Sequence, residues 1–213
     1  MNFLPEKIDE YVVDNSQKEP QILQELTKET WQRVLNPRML SGAFQGRILS
    51  MISKIINPKD ILEIGTYTGY SAICIAEGIS NEATIDTIDK NEELEDIQNR
   101  YFKKSGFRDQ IKQHVGNALE ITPTLDKKFD LVFIDADKSN YCNYFNLVIG
   151  KMKKGGIILS DNVLYFSNLS FEEKISKIKF LINRTAALLL QLMSYKFYCL
   201  LVCRVCKRLI SSF

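Results

Sequence analysis

Histidine is nearly absent from this 213-residue chain, which argues against catalysis centred on a histidine. The one histidine, His114, falls inside a predicted strand, so we interpret it as a packed or edge residue. Nothing in the sequence resembles a Ser/His/Asp triad. Paired cysteines are also missing from most of the chain, because Cys74 and Cys142 are isolated, as expected of reduced cytosolic thiols. The amino-terminal residues lack the basic and apolar regions of a secretory signal, and we expect a cytoplasmic protein.

The last forty residues lack acidic residues, glycine and proline, all of which the rest of the chain contains. From Lys174 to Phe213 there are eight Lys or Arg and no Asp or Glu, and neither Gly nor Pro occurs after Gly156. Residues 1–173 therefore carry 20 basic against 26 acidic side chains, while the whole chain has a formal net charge of +2. A net charge this small indicates no particular charged partner, and we predict no nucleic-acid binding.

Apolar periodicity predicts an α/β fold. Two helices are predicted first, at residues 20–35 and 44–56. Short apolar runs then alternate with helix-like stretches, with strands predicted at 61–64, 84–88, 111–115, 130–134 and 156–160, and helices at about 70–79, 91–105, 117–122 and 140–153. Apolar strands separated by helices indicate a parallel sheet with right-handed crossovers. The predicted fold class is therefore a doubly wound, mostly parallel α/β sheet.

A glycine-containing turn follows the first predicted strand and opens a helix. In Glu63-Ile-Gly65-Thr-Tyr-Thr-Gly69-Tyr-Ser71 the glycines allow a tight turn and the close approach of a ligand to the backbone. The spacing G-x-x-x-G differs from the G-x-G-x-x-G of dinucleotide binders. Asp89 ends the second strand, where its carboxylate can accept hydrogen bonds from ribose hydroxyls. Together these features predict a site for a nucleoside-type cofactor. The alternative is a purely structural role, in which the glycines form an ordinary turn and Asp89 caps a helix.

Oxygen-bearing side chains end two later strands. Asp135-Ala-Asp137-Lys138 follows one apolar run, and Asp161-Asn162 follows the next. Parallel strands that finish in oxygen ligands at their carboxyl ends can build a site for a hard cation. In the alternative interpretation, Asp135 and Asp137 cap the next helix and Lys138 is a solvated surface residue. The pair at the end of the following strand favours the metal site.

Three motifs resemble those of the cation-dependent O-methyltransferases, the S-adenosylmethionine enzymes similar to caffeoyl-CoA and catechol O-methyltransferases. The motifs occupy residues 62–71, 133–141 and 161–164, and the resemblance covers about residues 20–166. It implies a Rossmann-like methyltransferase fold. Asp89 matches the ribose contact, Ala118 the segment beside the adenine, and Ser41 a residue near the methionine end. The full set that matches the family's cofactor contacts is Ser41, Glu63, Gly65, Thr66, Tyr67, Ser71, Asp89, Ala118 and Asp137.

The same resemblance implies a metal centre and a base. Asp135, Asp161 and Asn162 match the metal ligands, and Mg²⁺ is the expected ion, with Mn²⁺ or Ca²⁺ as alternatives. A phenol has a pKa of about 10, so a dication that chelates two adjacent hydroxyls supplies the phenolate that attacks the methyl group. Lys138 matches the general base, which must be neutral to take the proton. We expect a small aromatic substrate with vicinal hydroxyls and, by resemblance, a homodimer.

Three interpretations of the carboxyl-terminal tail stay open. Residues 186–205 are mostly apolar, but Lys196 at their centre makes membrane insertion marginal. Cys199-x-x-x-Cys203-x-x-Cys206 has the spacing of a radical S-adenosylmethionine cluster motif, although such a motif belongs near the start of a barrel. The third interpretation is a shift of reading frame near residues 170–190. The loss of acids, glycines and prolines at one point favours that hypothesis.

These observations divide the chain into two parts. Residues 1–173 are predicted to be the methyltransferase domain, with helices over 1–58 and the catalytic core over 59–173, and residues 174–213 an atypical basic, hydrophobic tail. The family closes its sheet with two antiparallel strands around a turn rich in Gly and Pro. Since the tail contains neither residue, we expect those strands to be absent and the sheet edge to be unpaired. An inactive remnant that binds cofactor or a partner is the alternative function.

Overall fold

The computed structural model describes residues 6–161 and 201–204. Within these ranges the helices are α1 Glu6–Asn15, α2 Gln21–Arg33, α3 Gly42–Ile56, α4 Tyr70–Ala76, α5 Glu95–Lys104, α6 Ala118–Thr124 and α7 Tyr141–Ile149. The strands are β1 Asp60–Ile64, β2 Thr84–Asp89, β3 Ile111–Val115, β4 Phe129–Ile134, β5 Met152–Ser160 and β6 Leu201–Arg204. The chain divides into two compact units, Met1–Lys59 with Thr66–Ala118 and Asp60–Gly65 with Leu119–Phe213.

The first unit contains helices α1 to α5 and the parallel pair β2 and β3. Close approach of α3 and α4 depends on a small residue, because a Cβ added to Gly46 would lie 2.6 Å from the ring of Tyr70. A partly buried ion pair also joins the two helices, because Arg47 within α3 donates two hydrogen bonds of 2.8 Å to the carboxylate of Glu77, which directly follows α4. Breaking a buried pair on one side leaves an uncompensated charge. These contacts hold α4, and with it the turn that precedes α4.

The second unit contains a run of four strands in the order β1, β4, β5 and β6. β1 pairs with β4 and β4 with β5 in parallel register, so that Ile64 lies opposite Ile134 and Ile134 opposite Ser160. Residues Leu131 to Ile134 are all buried, which is typical of a parallel strand covered on both faces. The predicted class, α/β with mostly parallel strands, is confirmed. The shared register brings the carboxyl ends of β4 and β5 to one edge.

Two predicted helices end earlier in the structure. The helix predicted over 70–79 ends at Ala76, and the one predicted over 140–153 ends at Ile149 because β5 begins at Met152. Met152 pairs with Phe129, and the register then shifts before Leu131. Gly155 lies in this irregular stretch with a φ of +84°, a conformation that favours glycine. The apolar pattern seen in the sequence therefore marks only the regular half of the strand.

The expectation of an unpaired edge beside the last parallel strand is wrong. β6 runs antiparallel to β5, with Leu201 opposite Ser160 and Arg204 opposite Ile157. Our expectation was based on the missing Gly and Pro of a turn. Strand pairing, however, is made by backbone N–H and C=O groups, which every non-proline residue supplies. The remaining positions of the tail, including most of residues 186–205 and the reading-frame segment 170–190, lie outside the described residues.

No helix in the described part of the chain is long and apolar enough to cross a membrane.

Glu29 on α2 is the centre of a cluster of charges that links α2 to α5. Arg100 donates hydrogen bonds of 2.7 and 3.2 Å to the Glu29 carboxylate, and the Tyr101 hydroxyl donates another of 2.9 Å. The pKa of Glu29 is lowered from 4.5 to about 2, mainly because of the hydrogen bonds from Arg100, although burial opposes the shift. The charged carboxylate therefore stabilises the folded state.

We expect the contribution of Glu29 to stability to be lost in acid. A carboxyl group whose folded pKa is depressed stabilises the fold above its unfolded pKa, so the contribution is complete above pH 4.5 and declines as the pH falls towards about 2. The measurement is the difference in thermal midpoint between the wild type and Glu29→Gln from pH 6 to pH 2. A difference that stays constant over this range would contradict the assignment.

Candidate active site

The turn between Thr66 and Gly69, which we call the Tyr67 turn, follows β1 and leads into α4. The Gly69 N–H donates to the Thr66 carbonyl at 2.8 Å and closes the turn. Gly69 has a φ of +90°, and an added Cβ would lie 2.6 Å from the Phe102 ring, so both conformation and space require glycine there. Tyr67 also has a positive φ, +48°, which is uncommon for an aromatic residue.

Asp89 faces this turn from the end of β2. The Tyr67 N–H donates to Asp89 Oδ2 at 2.6 Å, and the Asn91 N–H donates to Oδ1 at 2.9 Å. The side chains of Thr66 and Thr87 are joined by a hydrogen bond of 2.5 Å beneath the turn. A carboxylate accepts about four hydrogen bonds, so these two leave capacity for hydroxyl donors of a ligand. The structure thus joins Tyr67, a predicted cofactor residue of the turn, directly to Asp89, the predicted ribose residue.

The other predicted cofactor residues of the first unit occupy separate elements. Ser41 is partly buried at the N-cap of α3, and Ser71 is buried in the first turn of α4. Ala118 is buried at the first position of α6. His114, which we did not assign to a site, lies on β3 with Nε2 2.8 Å from Oδ1 of the buried Asp86.

In the second unit, Glu63 and Gly65 lie at the end of β1. The Glu63 side chain is fully buried. Gly65 has a φ of +104°, and a Cβ added there would lie 2.0 Å from the carbonyl oxygen of Asp135. The Asp135 N–H donates to the Ile64 carbonyl at 2.9 Å, so the two strand ends are in direct backbone contact. Only glycine fits at this crossing.

A cluster of charged and phenolic side chains follows β4 and β5. We call it the carboxylate cluster; its members are Asp135, Asp137, Lys138, Tyr141, Tyr144 and Asp161. Asp135 and Asp161 are the residues directly after the last paired positions of the two strands, and the Asp161 N–H donates to the Ile134 carbonyl at 3.0 Å. Asp161 is buried and Asp135 partly exposed. Neighbouring strand ends therefore carry both predicted carboxylate ligands, as the parallel sheet requires.

The third predicted ligand, Asn162, lies outside the described residues. Within residues 6–161 and 201–204, no group of three His, Cys, Asp or Glu side chains has the arrangement of a metal site. The predicted ligand set contains only two side chains of these four kinds, Asp135 and Asp161. Its third ligand is the amide oxygen of Asn162. The chemistry of the donors, oxygen only, fits a hard divalent ion with positions left for water or substrate.

Lys138 is held by two members of the cluster. Its Nζ lies 2.9 Å from Asp135 Oδ1 and donates to the Tyr141 hydroxyl at 2.5 Å. The Tyr141 hydroxyl in turn donates to the Ile134 carbonyl at 3.3 Å. We did not predict a role for this tyrosine, although its spacing of three residues from Lys138, at the start of a helix, was a readable signal.

The pKa values of Tyr141 and Asp137 reflect both burial and the other groups of the cluster. Burial raises the pKa of Tyr141, and the negative charges of Asp135 and Asp161 raise it further. Burial also opposes ionisation of Asp137, but hydrogen bonds from Tyr144, Asn140 and Ser139 outweigh it and lower the pKa of that carboxyl. The Tyr144 hydroxyl donates to Asp137 Oδ1 at 2.5 Å. This edge of the second unit therefore concentrates carboxylate charge, which suits a cation.

Comparison with known proteins identifies the family of the chain. A model of the O-methyltransferase family matches residues 13–191, a wider range than the motifs alone indicated. Caffeoyl-CoA O-methyltransferase 5 of Nicotiana tabacum is 37% identical over 164 residues, which cover 73% of this chain and 68% of that protein.

Solved structures of methyltransferases are similar along nearly the whole chain. An O-methyltransferase from Bacillus cereus in complex with SAH has a TM-score of 0.81 and 29% identity, covering 94% of this chain and 97% of that one. The SAH-bound methyltransferase PaMTH1 of Podospora anserina also has a TM-score of 0.81, with 27% identity and coverage of 96% and 98%. The chain therefore belongs to the O-methyltransferase family, the family of the caffeoyl-CoA O-methyltransferases.

Proposed function

We propose that this protein transfers a methyl group from S-adenosylmethionine to a hydroxyl of a small catechol-like substrate, with the help of a divalent cation. The observation that carries the proposal is the shared register of β4 and β5, because it brings Asp135 and Asp161 to the same edge of the sheet. The fixed Asp89 carboxylate supports the cofactor half of the proposal. The small, vicinal-diol aromatic acceptor is proposed from the resemblance of the motifs.

The cofactor would be bound by residues around the two turns that follow β1 and β2. Asp89 would accept hydrogen bonds from the ribose hydroxyls, for which its two oxygens have remaining acceptor capacity. Glu63, Gly65, Thr66, Tyr67, Ser71, Ala118, Asp137 and Ser41 are proposed as the other contacts. The SAH bound by the Bacillus cereus and Podospora anserina proteins, which is the demethylated form of the methyl donor, supports this choice of ligand.

The cation would be held by Asp135, Asp161 and Asn162, and we propose Mg²⁺. The position of Asp135 and Asp161 at neighbouring strand ends supports a site with excess negative charge. A bound dication would stabilise the phenolate form of a catechol and orient its oxygen towards the methyl donor. This chain's own residues supply the oxygen ligands and the orientation of the strand ends that carry them.

Lys138 is proposed to accept the phenolic proton at Nζ. Asp135 and Tyr141 hold this amine at the carboxyl edge of β4, so its position is defined before substrate binds. Removal of the proton makes the oxygen nucleophilic, and the oxygen then forms a bond to the methyl carbon as the carbon–sulfur bond of the donor breaks. We also propose that the protein is cytoplasmic and forms a homodimer; light scattering at several protein concentrations would test the dimer.

Two measurements on the full-length chain test the proposed function. We expect calorimetry to detect SAH binding, and methyl transfer to a catechol to fall at least about tenfold with a chelator and to recover with added Mg²⁺. SAH binding should persist in the chelator, since Asp89 and the Tyr67 turn contain no proposed metal ligand. SAH binding without any cation-dependent methyl transfer would instead identify the protein as the inactive remnant.

A further inference from the structure

Tyr67 is held in a conformation that its side chain disfavours. Three non-glycine residues have positive φ in the described part of the chain, and the other two are asparagines. Asparagine tolerates the left-handed region, whereas an aromatic residue there is strained. Strain of this kind persists only where surrounding contacts determine the conformation more strongly than the local preference does.

Three groups of Tyr67 are engaged by the rest of the first unit. Its N–H donates to Asp89 Oδ2 at 2.6 Å, and its hydroxyl donates to the Asn36 carbonyl at 3.2 Å. Its carbonyl accepts a hydrogen bond of 2.6 Å from Gln98 Nε2. The first contact points to the proposed cofactor site, and the second ties down the side chain. The third fixes the orientation of the peptide plane between Tyr67 and the next residue.

Gln98 is suited to hold a peptide plane in place. Its side chain lies on α5 and is 1% exposed, so water does not compete for its amide. The side-chain oxygen Oε1 of Gln98 accepts a hydrogen bond from Gln113 Nε2 of β3. This bond leaves the Nε2 end of the Gln98 amide facing the turn. The chain of donors therefore runs from Gln113 through Gln98 to the Tyr67 carbonyl. Rotation of the Tyr67 peptide would leave a buried amide donor unpaired, which is unfavourable.

We propose that Gln98 is a positioning residue for the cofactor, which keeps the Tyr67 turn in its left-handed conformation with the Tyr67 N–H directed at Asp89. This inference rests on the proposed S-adenosylmethionine site. Gln98 acts on Asp89 through Tyr67, because it bonds to the Tyr67 carbonyl while the Tyr67 N–H bonds to Asp89. Without it, the turn can relax towards an ordinary φ, and Asp89 loses the amide that orients its carboxylate towards a ribose.

The test compares two glutamine substitutions in the full-length chain. Gln98→Met removes the bond to Tyr67 while keeping an unbranched side chain of similar size. Gln110→Met is the matched control, because Gln110 Nε2 donates to the Ser80 carbonyl at 2.7 Å in the same unit but not to the turn. We expect Gln98→Met to weaken SAH binding by about tenfold and Gln110→Met to leave the Kd unchanged. Equal Kd values for the two variants would overturn the proposal.

A second comparison separates positioning from general stability. In a Tyr67→Gly background the left-handed conformation carries no side-chain penalty, so Gln98→Met should weaken SAH binding by less than about threefold. The same tenfold loss in both backgrounds would show that Gln98 does not act by holding a strained turn. Amide exchange at Tyr67, without cofactor, should be about tenfold faster in Gln98→Met than in the wild type.

The exchange measurement also distinguishes the two proposals. Failure of the wild type to bind SAH would overturn the proposed function, and exchange would then decide on its own whether Gln98 holds the turn. Unchanged exchange at Tyr67 in Gln98→Met would overturn the role of Gln98 even if the wild type binds SAH tightly.

Discussion

Replacing Lys138 with methionine is expected to lower kcat for methyl transfer by about a hundred- to ten-thousandfold, the usual contribution of a general base. Lys138 Nζ lies among oxygen atoms of the carboxylate cluster, 2.9 Å from Asp135 and 2.5 Å from the Tyr141 hydroxyl. Methionine occupies similar space but cannot take a proton. The measurement is steady-state transfer to a catechol at saturating cofactor, together with the Kd for SAH, which should stay unchanged.

Two further variants separate the loss of the base from the loss of a charge. Lys138→Arg keeps the ion pair with Asp135 but cannot accept a proton at neutral pH, so it should be as inactive as the methionine variant. Lys151→Met is the matched control, since Lys151 donates to the Pro123 and Leu125 carbonyls, away from the cluster. Near wild-type turnover in Lys138→Arg would show that Lys138 acts through its charge and not as a base.

Replacing Gly65 with alanine is expected to destabilise the protein by roughly 3 to 5 kcal/mol. Its φ of +104° disfavours any side chain, and the added Cβ would lie 2.0 Å from the Asp135 carbonyl oxygen. A backbone carbonyl cannot move aside as a flexible side chain can, so β1 and β4 must separate where Asp135 leaves the strand. Urea unfolding of the two proteins would measure the difference in free energy.

Gly155→Ala isolates the conformational part of this effect. Gly155 also has a positive φ, +84°, but nothing lies within 4 Å of its added Cβ, so only the local penalty of about 1 to 2 kcal/mol is expected. The excess of Gly65→Ala over Gly155→Ala is then the effect of the close approach to Asp135. If both substitutions destabilise the protein equally, the crossing at Gly65 is looser than the structure indicates.

Local patterns predicted the regular elements well where one signal dominated. The predicted bounds of β1 to β4 were correct to within one residue at either end. For β1 and β4 the reason is that strands buried on both faces are mostly apolar. β5 was predicted four residues too short, since Lys153, Lys154 and Gly155 give no strand signal and belong to the strand only because Met152 pairs with Phe129. β6 was missed because its pairing depends on an open strand edge and not on its own turn residues.

The candidate site shows the same division. Asp135, Asp161 and Asp89 could be chosen from the sequence, because a polar residue directly after an apolar run stands at the end of a parallel strand. The partners of these residues could not be chosen. Gln98 lies nine residues beyond Asp89 on a separate helix, and no pattern in the sequence links it to the Tyr67 carbonyl.

The sequence by itself determined the class of fold, the order of the strands β1 to β5 and the carboxylates at the strand ends, since hydrophobic period and covalent order are local properties. Only the tertiary structure decided the close approach of Gly65 to Asp135 and the support of Tyr67 by Gln98. Those contacts depend on distances between atoms far apart along the chain, and such distances are established only when the strands and helices pack.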